Sequence, residues 1–236
     1  MKNPDPSKNN RSSIQFLCQL VFLLALMIST SVSTAAQNAP DPQEDVQIWS
    51  ELQVSFRLNE AVKVNFAGTV REGRNVTAFV NENFGGGVTF NLGKYFSVNP
   101  SYRYVATQPT PTHHTTEHRY ILDFTARLPL HGGFVVSDRT RTEWRDISGV
   151  LSMRYRNRVQ VERTCNFREH KITPYSWVEP FYDTRYHDWI RTQYAFGARL
   201  PLQKHTTLDS YYLKQNDARA KPGYLHVIGM MVRLDF

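Results

Sequence analysis

Tyr224-Leu-His-Val-Ile-Gly-Met-Met-Val-Arg-Leu-Asp-Phe236 alternates residue by residue. Tyr224, His226, Ile228, Met230, Val232, Leu234 and Phe236 share one parity; Val227, Gly229, Met231, Arg233 and Asp235 lie between them. A side-chain period of two marks a β-strand with one apolar face. The last residues of soluble domains commonly fray, yet this run keeps its pattern to a closing aromatic. An ordinary edge strand that ends in Phe reads the same way, so the rest of the chain has to decide.

At the other end, Lys2, Lys8 and Arg11 precede an apolar stretch from Phe16 to Ile28, followed by small residues up to Ala36. That layout is a secretory signal with a cleavage site near Ala35 or Ala36. A spanning helix needs about 20 apolar residues; this run is shorter, and Gln19 interrupts it. The expected organisation is a signal peptide over 1–36, a periplasmic lead-in rich in Pro and acid over 37–45, and one domain over 46–236. In an exported chain, the closing strand resembles the terminal strand of Gram-negative outer-membrane barrels, which barrel assembly machinery reads as a folding signal. Tyr224, Ile228, Met230, Val232, Leu234 and Phe236 are the candidate assembly residues.

About 200 residues remain after cleavage, enough for one large domain. Of the two cysteines only Cys165 survives, which excludes an internal disulfide. The negative mean hydropathy would ordinarily point to a soluble protein. It does not for a barrel, whose strands are only half apolar. The net charge of +7 falls to about +5 once Lys2, Lys8, Arg11 and Asp5 are removed. For an exported chain this excess favours anionic lipids or small anionic solutes over nucleic acid.

Alternation continues through most of the domain. Ile48, Leu52, Val54 and Phe56 oppose Glu51, Gln53 and Ser55, and a turn at Asn59-Glu60 leads to Val62, Val64 and Phe66. Short connections at Asn59, Gly93, Pro129 and Pro201 alternate with longer polar ones expected at 73–83, 107–116 and 215–222. Membrane barrels show this asymmetry, with short periplasmic turns and longer outer loops. Apolar runs of about ten residues, tilted by about 40°, span about 25 Å, the height of an outer-membrane belt. Roughly eleven runs can be counted, and bacterial single-chain barrels have even strand numbers. The expected fold is therefore an all-β, up-and-down antiparallel transmembrane β-barrel of about 12 strands, with 10 as the alternative and 73–83 the doubtful region. Pro174 and Pro180 mark the strand between them as one with an edge or a bulge. A soluble lipocalin-like barrel would alternate too, with its apolar face inside. Strand length, loop asymmetry and terminal Phe236 favour the membrane.

With the apolar face outward, the polar face lines a lumen rich in arginine. Arg119 and Asp123 precede Arg139, Arg141, Glu143 and Arg145; then come Arg154, Arg156, Arg158 and Glu162, and later Glu179 and Arg191. Guanidinium forks suit paired carboxylates, and unpartnered stacked charges would destabilise the sheet. This ladder is either a structural ion network that pins strand register or an electropositive site for anionic solutes.

Glu117-His-Arg119, Arg139-x-Arg141-x-Glu143, Arg154-Tyr-Arg156-Asn-Arg158 and Glu179-Pro-Phe181 resemble a family of exported Gram-negative barrel proteins known only as a domain of unknown function. The resemblance covers about Trp49 to Phe236. It implies an outer-membrane barrel and brings no activity, cofactor or catalytic residue with it.

An enzymatic reading needs a nucleophile, a base and an orienting group within reach. No G-x-S-x-G elbow occurs. His113 and His114 read as solvated loop residues, and no metal site is expected from their spacing to Glu117. Gly85-Gly86-Gly87 reads as a strand kink, since no helix follows to make a phosphate site. The expected function is a narrow pore or binder for small anionic solutes, or an envelope structural protein, in the cell outer membrane. A lipid-modifying outer-membrane enzyme is the alternative from another class. The expected partners are outer-membrane lipids and the assembly machinery, and no cofactor is expected.

Overall fold

The computed structural model describes residues 43–167 and 170–236. The expected signal segment and residues 37–42 of the lead-in lie outside the described residues. Twelve strands follow one another: β1 (Glu44–Arg57), β2 (Val62–Gly73), β3 (Ala78–Leu92), β4 (Phe96–Thr110), β5 (His113–Pro129), β6 (Phe134–Ile147), β7 (Val150–Arg163), β8 (Cys165–Phe167), β9 (His170–Asp183), β10 (Asp188–Gln203), β11 (Thr206–Asp217) and β12 (Tyr224–Asp235). Glu44 and Asp45, assigned to the lead-in from sequence, already belong to β1.

Neighbours pair antiparallel from β1 through β7, then through β9, β10, β11 and β12, and β12 pairs with β1 to close the barrel. The expected twelve strands are present, but the wall has eleven staves. β8 continues the stave of β7: Glu162 faces Tyr175 on β9, and Cys165 faces Ile172 in the same register. Pro174 lies between those two pairs and has no N–H to donate, so the ladder lapses there and resumes. The same device recurs where Pro180 faces the gap in the β7 ladder between Arg156 and Val159. Both prolines thus sit in a strand flanked on two sides, each still paired to β10 (Thr192 with Pro180, Ala198 with Pro174). An edge position is unnecessary because each missing donor points at the one interrupted ladder.

An odd wall has a geometric consequence. Up-and-down strands alternate in direction, so the first and last of eleven point the same way. The seam is accordingly parallel, running from Glu44 opposite Tyr224 to Ser55 opposite Asp235. We call the end where β1 begins the N-rim and the end where β12 finishes the C-rim.

The loop asymmetry expected from sequence is not there. N-rim turns are 74–77, 111–112, 148–149, 184–187 and 218–223; C-rim turns include 58–61, 93–95 and 204–205. The stretches 73–83 and 107–116 are mostly strand, and β5 reaches 17 residues. The reason is visible on the outer face. Near the N-rim it carries Glu72, Glu82, His114 and Thr116, so both faces are polar and the alternation that reveals a strand disappears.

The apolar parity faces outward. Leu52, Phe56, Phe66, Phe90, Phe96, Phe124, Phe196, Ile228 and Met230 are exposed, while charged side chains are buried inside. This is the reverse of a soluble lipocalin. Tyr102, Tyr104, Tyr120, Trp144, Tyr155, Tyr182, Trp189 and Tyr212 girdle the outer surface toward the N-rim; Tyr102 meets His118 and Tyr212 meets His226. From Tyr120 on β5 to Leu130 just past its end the apolar band is about 25 Å tall at ordinary strand rise and tilt. At the C-rim, Phe236 stacks on Phe56 at 5.6 Å and on His205 at 5.4 Å.

Candidate functional site

The inner face of β5, β6, β7 and β9 carries an ion network. Register places like charges directly opposite: Arg119 faces Arg145, Arg141 faces Arg156, and Arg139 faces Arg158. Such pairs repel, and recessed carboxylates resolve each of them. Glu117 accepts two hydrogen bonds from Arg119 (2.7 and 2.9 Å) and two from Arg145 (2.6 and 2.9 Å). Arg145 reaches on to Asp183 at 3.0 Å. Asp123 holds Arg141 by two bonds of 2.6 Å. Glu143 accepts from Arg154 at 2.6 Å and Arg156 at 3.0 Å. Glu179 takes Arg139 at 2.6 Å, Arg156 at 2.9 and 3.1 Å, and Arg158 at 2.6 and 3.0 Å. In the turn 184–187, hydrogen bonding to Asp183 holds the Arg185 guanidinium above its ordinary value, so it stays charged.

Aromatic rings support the guanidinium planes. Arg158 lies 3.8 Å from the Trp177 ring centre, Arg156 4.2 Å from Phe181, and Arg71 on β2 3.7 Å from Trp49. Planar stacking of this kind suits the arginine guanidinium better than the lysine ammonium.

The two halves of the lumen differ. Toward the N-rim, Asp45, Gln47, Trp49, Val80, Val105, Glu117, Arg145, Asp183 and Ile190 are all buried. An apolar cluster of Trp49, Trp177, Ala195, Leu213, Leu225 and Val227 fills the side of β9 to β1, with Tyr175 and Tyr211 against it. Toward the C-rim, the inner side chains meet water in a particular order, with guanidiniums forward and carboxylates behind. Glu179 is 0% exposed behind Arg139 (21%) and Arg158 (24%). Glu162 is 7% exposed behind Arg127 (54%) and Arg199 (21%), both of which it binds. Asp209 (4%) lies behind Arg233 (33%). The inner side chains are thus buried toward the N-rim and partly water-exposed, guanidiniums foremost, toward the C-rim.

All twelve ladder residues expected from sequence lie on the inner face. Arg119, Asp123, Arg139, Arg141, Glu143, Arg145, Arg154, Arg156, Arg158 and Glu179 form one linked group. Glu162 belongs to a second group at the C-rim, and Arg191 pairs with Asp217 apart from both. The candidate assembly residues Tyr224, Ile228, Met230, Val232 and Phe236 are exposed on the outer face, with Leu234 half-buried among them. Sequence reasoning missed the inner apolar cluster and the acids Asp183 and Asp217. Its signal was present: Leu225, Val227 and Leu213 make their strands apolar on both parities, which a membrane face alone does not require. Among the described residues, no cluster of His, Cys, Asp and Glu is placed to hold a metal ion.

Residues 46–226 match the model of a family described as a protein of unknown function (DUF2490). No curated protein matches the chain in sequence. Among solved structures, the chain is similar to LpxR from Salmonella typhimurium at 10% identity and a TM-score of 0.52, covering 78% of this chain and 87% of that one. It also aligns with the β domain of the Bordetella autotransporter BrkA at 10% identity and a TM-score of 0.49, covering 76% and 86%. The KdgM porin in complex with disordered oligogalacturonate aligns at 13% identity and a TM-score of 0.45, covering 74% and 92%. At such identity the likeness to LpxR is one of fold.

Proposed function

The chain belongs to the DUF2490 family of proteins of unknown function, and from that premise we propose that it is an outer-membrane barrel that binds small anionic solutes in its C-rim vestibule. One observation carries the reading: the guanidiniums of Arg127, Arg139, Arg158, Arg199 and Arg233 face water while their carboxylate partners are recessed. Glu162 is shared by two arginines and Glu179 by three, so the water-facing surface keeps an excess of positive charge. Forked guanidiniums pair well with carboxylate or phosphate groups, and placing them at the rim of a low-dielectric cup strengthens the attraction. The packed N-rim half favours a binder over an open pore.

Titration calorimetry of the purified barrel against inorganic phosphate, citrate and the cation spermidine tests this. Binding of either anion, weakened by salt, with none of spermidine, is the expected result, together with no steady conductance in a planar bilayer. A stable ohmic current, or equal indifference to all three probes, overturns the binder.

A further inference from the structure

The outer face between the aromatic girdle and the C-rim turns is apolar on most staves, with isolated small polar residues such as Ser50 and Ser210. The boundary of β6 and β7 departs from this. Asp138, Thr140 and Thr142 follow one another on the outward parity of β6, and Asn157 stands beside them on β7, opposite Thr140. Asp138 is the one charged side chain on that band among the described residues. Glu72, Glu82, Asp146 and Lys214 lie nearer the N-rim, and Arg163 stands at the C-rim opposite Phe134. Asp138 and Thr140 are exposed. The Asn157 amide donates to Asp138 Oδ1 at 2.6 Å and to Thr140 Oγ1 at 3.2 Å. That leaves Asp138 Oδ2 and the hydroxyl protons of Thr140 and Thr142 facing outward.

Acyl chains offer neither donor nor acceptor, and an ionisable group at that depth is costly unless it finds a partner. The strip contains both halves of a hydrogen-bonding set. The residues there are also small, Ala126 included, and lie between the larger Phe124, Phe134, Trp144 and Tyr155. They form a shallow saddle in an otherwise bulky surface. Above it, nearer the N-rim, a cavity of about 380 Å³ is lined by Tyr120, Trp144, Leu151, Met153 and Thr184.

We infer that this strip is the lateral contact between two copies of the chain, related by a two-fold axis normal to the membrane. Two-fold symmetry places the same patch on both sides at the same depth. The Thr140 hydroxyl of one copy then donates to the free Asp138 oxygen of the other, Asn157 holds that carboxylate in place within its own copy, and the two saddles let the walls approach. The inference rests on the membrane reading and not on anion binding, so the two proposals fail independently.

The test uses the full chain in native membranes, with Cys18→Ala and Cys165→Ser to remove its own thiols. Thr142→Cys is compared with Leu52→Cys, which places a thiol on the outer face of β1. Under mild oxidation, a disulfide-linked dimer with Thr142→Cys and none with Leu52→Cys is expected. Adding Asp138→Leu and Asn157→Leu should lower the yield at least tenfold while the barrel keeps its heat-modifiable gel shift. Should that double variant fail to fold, the two cysteine variants still decide. No dimer in either, equal dimer in both, or a link from residue 142 to a different protein overturns the inference.

Discussion

Arg156 and Glu179 meet fork to fork across β7 and β9, at 3.1 Å from Nε to Oε1 and 2.9 Å from Nη2 to Oε2. The carboxylate they share with Arg139 and Arg158 is fully buried. Removing one partner of a buried pair strands the other, which costs about 3–5 kcal/mol.

Glu179→Gln should therefore lower the temperature at which the folded gel band is lost far more than Arg127→Gln does. Arg127 is more than half exposed, and its loss should cost under about 1 kcal/mol. Equal shifts for the two variants would show that the recessed carboxylate does not organise the wall.

Arg139→Gln with Arg158→Gln removes two guanidiniums from the vestibule surface and leaves Arg156 holding Glu179. Anion affinity should fall about tenfold, or 1.4 kcal/mol, as read by calorimetry on protein that still shows its gel shift. A large loss of thermal stability with unchanged affinity would make the ladder a structural network only.

The outward and inward parities of β12 can be tested one residue apart. Val232→Arg puts a charge in the apolar band at a cost of about 2–4 kcal/mol near its midplane. Met231→Arg turns toward Asp209 and Glu51 in the register and should be nearly neutral. Unfolding titrations of the two in lipid should rank them in that order, and the opposite ranking would invert every lumen assignment.

Phe236 fixes the end of the seam: its N–H donates to Ser55 O at 2.9 Å, and its carboxylate oxygen accepts from Arg57 N at 2.8 Å. We expect Phe236→Ala to reduce assembly in cells much more than Leu58→Ala, whose side chain is 64% exposed. Small and equal losses in membrane fractions would make the closing aromatic an ordinary strand end.

The sequence made the faces legible because lipid-facing and lumen-facing parities differ most where the apolar band is. Phe56, Phe66, Phe124 and Val232 announce the outside, and Arg139, Arg156 and Glu179 the inside. Strand ends were less visible: Glu72, Glu82 and His114 sit on the outer parity above the girdle, so 73–83 and 107–116 look like loops. Pairing inside the lumen could not be read at all. Arg119 faces Arg145 in the register, and only the diagonal reach to Glu117 explains how the sheet tolerates it. The apolar packing of Leu213, Leu225 and Val227 was hidden for the opposite reason, since apolar residues on both parities blur the period.

The parallel seam also bears on sidedness. A chain that crosses a layer an odd number of times enters from one compartment and leaves into the other. Glu44 and Phe236 thus report from opposite sides of the envelope layer the barrel occupies, whichever way up it sits. A protease site placed just before Glu44 and an epitope joined after Phe236 should never both be accessible, or both protected, in intact cells. Assembly from hairpins alone cannot finish such a wall. Eleven staves paired off as hairpins leave one over.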